Sequence, residues 1–178
     1  MNPARSEGFT LAEILVVVAI VAVIAGVALP FLSSPDPKKL DVAAEEAGNA
    51  LRFAVAAGRG GVYVLVDAKT VPGRLKLVTS NATGADLGPV NDPLTKQALN
   101  IDTAGSAFSG SVSMTARFMQ GGIAYKQLLI GPAGQLQVFD GPSANMGALQ
   151  SASGIVLALG ASSVTVTVNE TTGFVAIP

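Results

Sequence analysis

The sequence predicts an α+β protein, with a long N-terminal α-helix packed on an all-β, sandwich-like C-terminal head. Three observations predict it. An unbroken apolar run extends from Ile14 to Leu29. Apolar residues then recur at helical spacing between Leu40 and Val55. From Gly61 onward the texture changes to short β-rich runs separated by glycine, proline and asparagine.

The first element is the apolar one. As a helix rising about 1.5 Å per residue, the 21 residues from Phe9 to Leu29 span roughly the 30 Å hydrocarbon core of a bilayer. Gly8-Phe9-Thr10-Leu11-Ala12-Glu13 sets a carboxylate at the mouth of that run. A charge at the centre of a span costs about 2.5–3.5 kcal/mol on insertion scales and less near its end, so Glu13 is a candidate functional residue. Three plainer readings fit less well. A secretory signal has an apolar stretch of about 7–15 residues and a small-residue cleavage site, for which Gly26-Val27-Ala28 would serve. This run is too long for that, and Glu13 spoils its start. A plain anchor leaves Glu13 as an accident, and a core helix needs far less apolar length.

Ser33-Ser34-Pro35-Asp36-Pro37 interrupts the run. Asp36 suits an N-cap and Pro37 the first helical position, where its missing N–H costs nothing. Leu40, Ala43, Ala44, Ala47, Leu51, Ala54 and Val55 then form one apolar stripe, with Asp41, Glu45, Glu46, Asn49 and Arg52 on the other side. This amphipathic helix is expected to end near Gly58-Arg59-Gly60-Gly61. Gly48 in its middle weakens it by up to about 1 kcal/mol relative to Ala.

The strands follow. Val62–Val66 and Arg74–Val78 come first, then Val112–Phe118 with alternating apolar and polar residues. Lys126–Ile130 and Gln135–Phe139 flank the hairpin turn Gly131-Pro132-Ala133-Gly134. Ile155–Leu159, Val164–Val168 and Phe174–Ile177 complete about eight strands. Asn169-Glu170-Thr171-Thr172-Gly173 is expected as a hairpin loop with Gly173 left-handed. Its Asn169-Glu170-Thr171 matches a glycosylation sequon but is taken as a turn. Thr79–Ser111, rich in Asn, Gly, Asp and Pro, is expected to be an irregular surface excursion, and long loops are usually functional or mobile.

Composition narrows the chemistry. The 178 residues suit one domain beyond the apolar run, and the net charge is −1. The 11 Lys and Arg are scattered, with only Lys38-Lys39 adjacent, so there is no strong nucleic-acid signal. With no Cys there is no disulfide framework, and with no His the commonest general base and metal ligand is missing. No catalytic constellation, metal site or cofactor motif emerges. Glu45-Glu46 lies on a solvated helix face, and Gly58–Gly61 lacks the Lys-Ser/Thr of a phosphate loop.

The N-terminal pattern resembles that of the type IV pilin and type II secretion pseudopilin superfamily. Its features here are a short leader Met1–Gly8 with Arg5 as its basic residue, the Gly8-Phe9 junction, Glu13 as the fifth residue after that junction, and Pro30 after the apolar run. The leader departs from the pattern, since Glu7 adjoins the cut and Arg5 is its one positive charge. The C-terminal third is similar to the minor pseudopilin H group (GspH/FimT), through Ile130–Leu136 and Val166–Gly173. That group commonly follows the glycine with Arg, where this chain has Phe174, which counts against a basic DNA-binding loop. After Phe139 the only carboxylates are Asp140 and Glu170, too few for an acidic calcium loop.

The resemblance implies three parts: a prepilin leader over 1–8, a transmembrane and filament-core helix over 9–30, and a periplasmic helix with a β-rich head over 31–178. It implies cleavage after Gly8 and N-methylation of Phe9 by a prepilin peptidase/methyltransferase. Glu13 and Pro30 then serve assembly. The implied product is a single-pass protein of the bacterial inner membrane that joins other pilin or pseudopilin subunits as a minor structural subunit, not an enzyme. The alternative is a membrane-tethered binding module for DNA or a secreted substrate, shown on a pilus tip and favoured by the 79–111 excursion.

Overall fold

The computed structural model describes residues 15–21, 37–70, 73–92, 94–103, 105 and 111–178. The chain divides into two units, Met1–Pro35 and Asp36–Pro178. In the first, residues 15–21 form helix α1, whose Leu15, Val16, Val17, Val18, Ile20 and Val21 are exposed. Among the described residues no helix is long and apolar enough to cross a membrane. The leader, most of the span expected over 9–30, and Gly8, Phe9, Glu13 and Pro30 lie outside the described residues.

The second unit begins with helix α2, Pro37–Arg59. Every residue of its expected apolar stripe, from Leu40 through Val55, is buried. Asp41, Glu45, Asn49 and Arg52 are exposed and Glu46 half-buried. The helix closes as its glycines dictate: Gly60 N–H donates to Ala56 O at 3.0 Å and Gly61, at φ +99°, donates to Gly58 O at 3.0 Å.

Twelve strands follow among the described residues: β1 (Tyr63–Asp67), β2 (Arg74–Ser80), β3 (Gly88–Pro89), β4 (Asn100–Asp102), β5 (Ser113–Gln120), β6 (Ile123–Tyr125), β7 (Gln127–Ile130), β8 (Leu136–Phe139), β9 (Asn145–Ala148), β10 (Ser153–Leu159), β11 (Ser162–Val168) and β12 (Val175–Ala176). All eight expected strands are present within two residues of their expected bounds. The four others, β3, β4, β6 and β9, have two to four residues each, too few to show a period.

One sheet runs β3-β2-β1-β7-β8-β9, with β4 also paired to β2; the other runs β12-β11-β10-β5-β6. All named pairs are antiparallel. The two sheets meet where β5 packs on β7, β8 and β9, and α2 lies on β1, β2, β4 and β7 of one and β10, β11 and β12 of the other. One apolar cluster joins all three layers, with Leu51, Phe118, Leu128, Ile130, Ile155 and Leu157 fully buried in it. Each such side chain contributes about 1.5–3 kcal/mol by leaving water. The chain is thus an α+β protein with one helix laid against two antiparallel sheets.

A smaller cluster of Leu65, Val78, Leu129 and Phe139 occupies the outer face of the first sheet. Part of the 79–111 excursion covers it. Ser143 N–H donates to Thr83 O at 2.6 Å, and a Cβ added to Gly84 (φ +74°) would stand 2.6 Å from the Phe139 ring. The excursion is therefore less irregular than expected. It supplies β3, β4 and the Asn91–Ala98 bridge and roofs an apolar patch.

Two helix glycines are contact points. A Cβ on Gly48 would strike Ile177, at 2.5 Å from its Cγ1, and one on Gly58 would strike Ile130 Cγ2. Ile130 is fully buried and β-branched, so it has nowhere to turn. Helix propensity alone makes Gly58→Ala stabilising by about 1 kcal/mol. Overpacking costs about 1–3 kcal/mol and wins. Gly58→Ala is expected to lower the thermal midpoint by a few degrees, at about 2–4 °C per kcal/mol for this size, read by circular dichroism. A rise in midpoint would show that α2 does not press on β7.

Candidate functional site

Two cavities of the head are each lined by a pair of basic side chains. The first, of about 360 Å³, lies beside β2 and is lined by Asp67, Thr70, Arg74, Lys76, Asn100 and Asp102. Asp67, at the end of β1, is buried, and its carboxylate accepts Lys69 N–H at 2.7 Å, Thr70 N–H at 3.3 Å and the Thr70 hydroxyl. Arg74 pairs with Asp102 across the β2–β4 ladder at 2.6 Å, and Lys76 with Asp86 at 2.7 Å. Each ion pair ties the excursion to β2. Arg74 and Lys76 are thus each paired with an acid, and Asp67 is met by its own turn.

These pairs are solvated, so each contributes about 0–1 kcal/mol. Asp86 still titrates below the ordinary aspartate value, chiefly because Lys76 hydrogen-bonds its carboxylate, with Gly88 N–H and the Lys76 charge adding to that. Asp92 is lowered too, by the Leu94 and Thr95 N–H groups it caps.

The second lies at the seam between α2 and the C-terminal hairpin. Arg52 and Arg59 lie two helical turns apart on the same flank of α2. Arg52 Nε and Nη2 donate to Val175 O at 3.4 and 3.2 Å, and Arg59 Nη2 donates to Thr172 O. The loop between β11 and β12 forms as expected. Gly173 has φ +64° and donates to Asn169 O at 2.8 Å, and Asn169 N–H donates to Phe174 O at 2.9 Å. Asn169 Oδ1 accepts Thr171 N–H, Thr172 N–H and the Thr172 hydroxyl at 3.1, 2.8 and 2.8 Å, so the sequon asparagine builds the turn. Sequence reading missed Arg52 and Arg59 as a site. Their seven-residue spacing was legible, but the strand they hold lies more than a hundred residues away.

Among the described residues, no group of three or more Asp or Glu side chains stands where it could hold a metal ion.

The sequence profile of the family described as the Prokaryotic N-terminal methylation motif matches residues 3–29, a span that contains Gly8, Phe9 and Glu13. The chain carries that motif at its N-terminus. Among solved structures it is similar to the type IV minor pilin FimU of Pseudomonas aeruginosa (strain PAO1), with 11% identity and a TM-score of 0.47, covering 78% of this chain and 92% of that one. That likeness is too distant to carry function. No curated protein matches the chain.

The Lys76–Asp86 pair has a testable sign. The folded pKa of Asp86 is below its unfolded value of about 3.9, so its contribution is present above that value and lost as pH falls through the folded one. In a carboxyl-carbon NMR titration, Asp86 is expected to show a midpoint below that of an unpaired aspartate. Lys76→Met should move it upward. An unchanged midpoint would show that Lys76 is not the cause.

Proposed function

We propose that this chain is a minor pilin or pseudopilin, a structural subunit of a type II secretion pseudopilus or a type IV pilus. The observation that carries this is the methylation motif over residues 3–29, in register with Gly8, Phe9 and Glu13. In this reading prepilin peptidase removes Met1–Gly8 and the new Phe9 amine is methylated. The helix over 9–30 holds the subunit in the bacterial inner membrane with its head in the periplasm, then enters the filament core. Pro30 lets the stem bend by removing one helical hydrogen bond. A structural role, not an enzymatic one, is favoured by a sequence with neither His nor Cys. Membership of the H-type (GspH/FimT) minor group rests on the hairpins at 130–136 and 166–173.

Glu13 has a physical role in that assembly. A carboxylate in low dielectric needs a partner, and the protonated amine of a neighbour's Phe9 supplies one. The attraction operates only between subunits offset along the axis, so it sets register as well as affinity.

Two experiments test the reading. Intact-mass spectrometry of the membrane-extracted protein is expected to show a chain that begins at N-methyl-Phe9, and Gly8→Ala should slow or block cleavage. A chain that keeps Met1–Gly8 or is cut near Ala28 would falsify the pilin reading. Glu13→Gln should leave membrane insertion intact or improved while sharply reducing incorporation into filaments. Equal incorporation of variant and parent would remove Glu13 from the assembly mechanism.

A second reading is favoured by the apolar residues that the excursion displays: Leu94, 91% exposed, and Leu87, 63% exposed. Large apolar side chains held in water mark contact surfaces when they group. The head would then be a binding module that the pilin stem delivers, for DNA or for a secreted substrate. Subunit stoichiometry in isolated filaments, with a pull-down of the head domain alone, separates the two readings, since only a binding module is expected to retain DNA or a secreted substrate.

A further inference from the structure

We propose that the seam between α2 and the C-terminal hairpin is a binding site for an acidic, partly apolar peptide segment of another protein. The groove has a volume of about 400 Å³ and is lined by Arg52, Val55, Ala56, Arg59 and the 172–175 turn. It lies wholly within the head, and the inference stands or falls independently of how the N-terminal segment is processed.

The charge in this groove is of one sign. Its lining holds two guanidinium groups and no carboxylate. The ion pairs Lys69–Asp140, Arg74–Asp102 and Lys76–Asp86 include neither Arg52 nor Arg59. Arg52 donates to Val175 O and, through Nη1, to Asn49 Oδ1 at 3.5 Å, and Arg59 donates to Thr172 O; of the five N–H donors each guanidinium carries, these bonds leave two on Arg52 and four on Arg59 for a ligand. Those same bonds hold the two forks in place, which lowers the ordering cost when a carboxylate docks. The C-terminal carbonyls of α2 oppose an anion here, since a helix end carries about half a negative charge. Gly60 and Gly61 N–H groups cap two of those carbonyls, and Arg59 in the last turn offsets the remainder.

The walls are apolar. Val55 and Val175 are buried at the base, and Phe174 stands at the rim with 67% of its surface in water. An exposed aromatic beside two cations suits a ligand with an apolar side chain between its charges. Arg52 and Arg59 are separated by about 10 Å along the helix, close to three residues of an extended polyproline II chain at about 3.1 Å each, whose three-residue turn sets the first and fourth side chains on one face. The fitting occupant is an extended segment with carboxylates three residues apart and apolar residues between. Nucleic acid fits less well: the net charge is −1, and two cations do not track a phosphate backbone. The helix also supplies here the positive charge that the loop itself lacks, since Phe174 follows Gly173.

The test uses the full chain in detergent with fluorescein-labelled peptides in fluorescence anisotropy. Glu-Leu-Phe-Glu is expected to bind, and Lys-Leu-Phe-Lys to bind about tenfold or more weakly. Arg59→Gln should weaken the acidic peptide by about tenfold or more, and Arg59→Lys should recover only part of that, because lysine lacks the bidentate fork. Arg52→Gln also frees the carbonyl of Val175, so Phe174→Ser, which changes an exposed side chain, is the variant that leaves the fold alone; it too should weaken binding. No binding of the acidic peptide by the parent overturns the proposal, as does equal binding of the two peptides or indifference to both Arg59→Gln and Phe174→Ser. A labelled oligothymidylate that binds more tightly than the acidic peptide, with the same dependence on Arg59, overturns it in favour of nucleic acid.

Discussion

The head depends on how closely α2 approaches the two sheets. Its buried stripe is built mostly of alanines, Ala43, Ala44, Ala47, Ala50 and Ala54, with Leu40, Leu51 and Val55 among them. Gly48 and Gly58 lie where a Cβ would strike Ile177 and Ile130. Small residues let the helix axis drop until the sheet side chains fill the space between, and interiors tolerate little departure from such packing. Because α2 touches β1, β2, β4 and β7 on one side and β10, β11 and β12 on the other, one helix seals the core of both sheets. With no cysteine in the sequence, no disulfide supplements that seal.

The same helix organises the polar surface. One flank carries Arg52 and Arg59, which reach carbonyls of the C-terminal hairpin and hold its short β12 against the head. β12 pairs with β11 at only two positions, Thr167↔Ala176 and Val168↔Val175, so the guanidinium contacts supplement a weak ladder. Across the first sheet, Arg74 and Lys76 of β2 draw in Asp102 and Asp86. That brings the 79–111 excursion back onto the sheet, where the stretch around Gly84 covers Phe139. A segment with few apolar residues is thus placed by charge at its ends and by one ring beneath its middle.

The N-terminal motif and the head do different physical work. The apolar run over Phe9–Leu29 suits a lipid or filament interior, and its one carboxylate, Glu13, needs a partner there. The head has its own apolar core.

Much of this fold was legible in the sequence because its signals are local. The 3.6-residue spacing of Leu40 to Val55 sets a helix and names its buried face, and alternation in Val112–Phe118 sets a strand. Gly131–Gly134 and Asn169–Gly173 mark turns because only certain residues take those backbone angles easily. The motif around Gly8, Phe9 and Glu13 was legible for the same reason, since its elements are neighbours in the chain. The tertiary structure alone decided the rest. Strands of two or three residues such as β3 and β4 have no period of their own and exist because β2 offers them an edge. Gly48, which by propensity only weakens a helix, is a site of close approach because Ile177 packs against it from the far end of the chain. Arg52 and Arg59 form a site because folding sets Thr172 and Val175 beside them, and a contact between residues so distant in sequence leaves no local pattern.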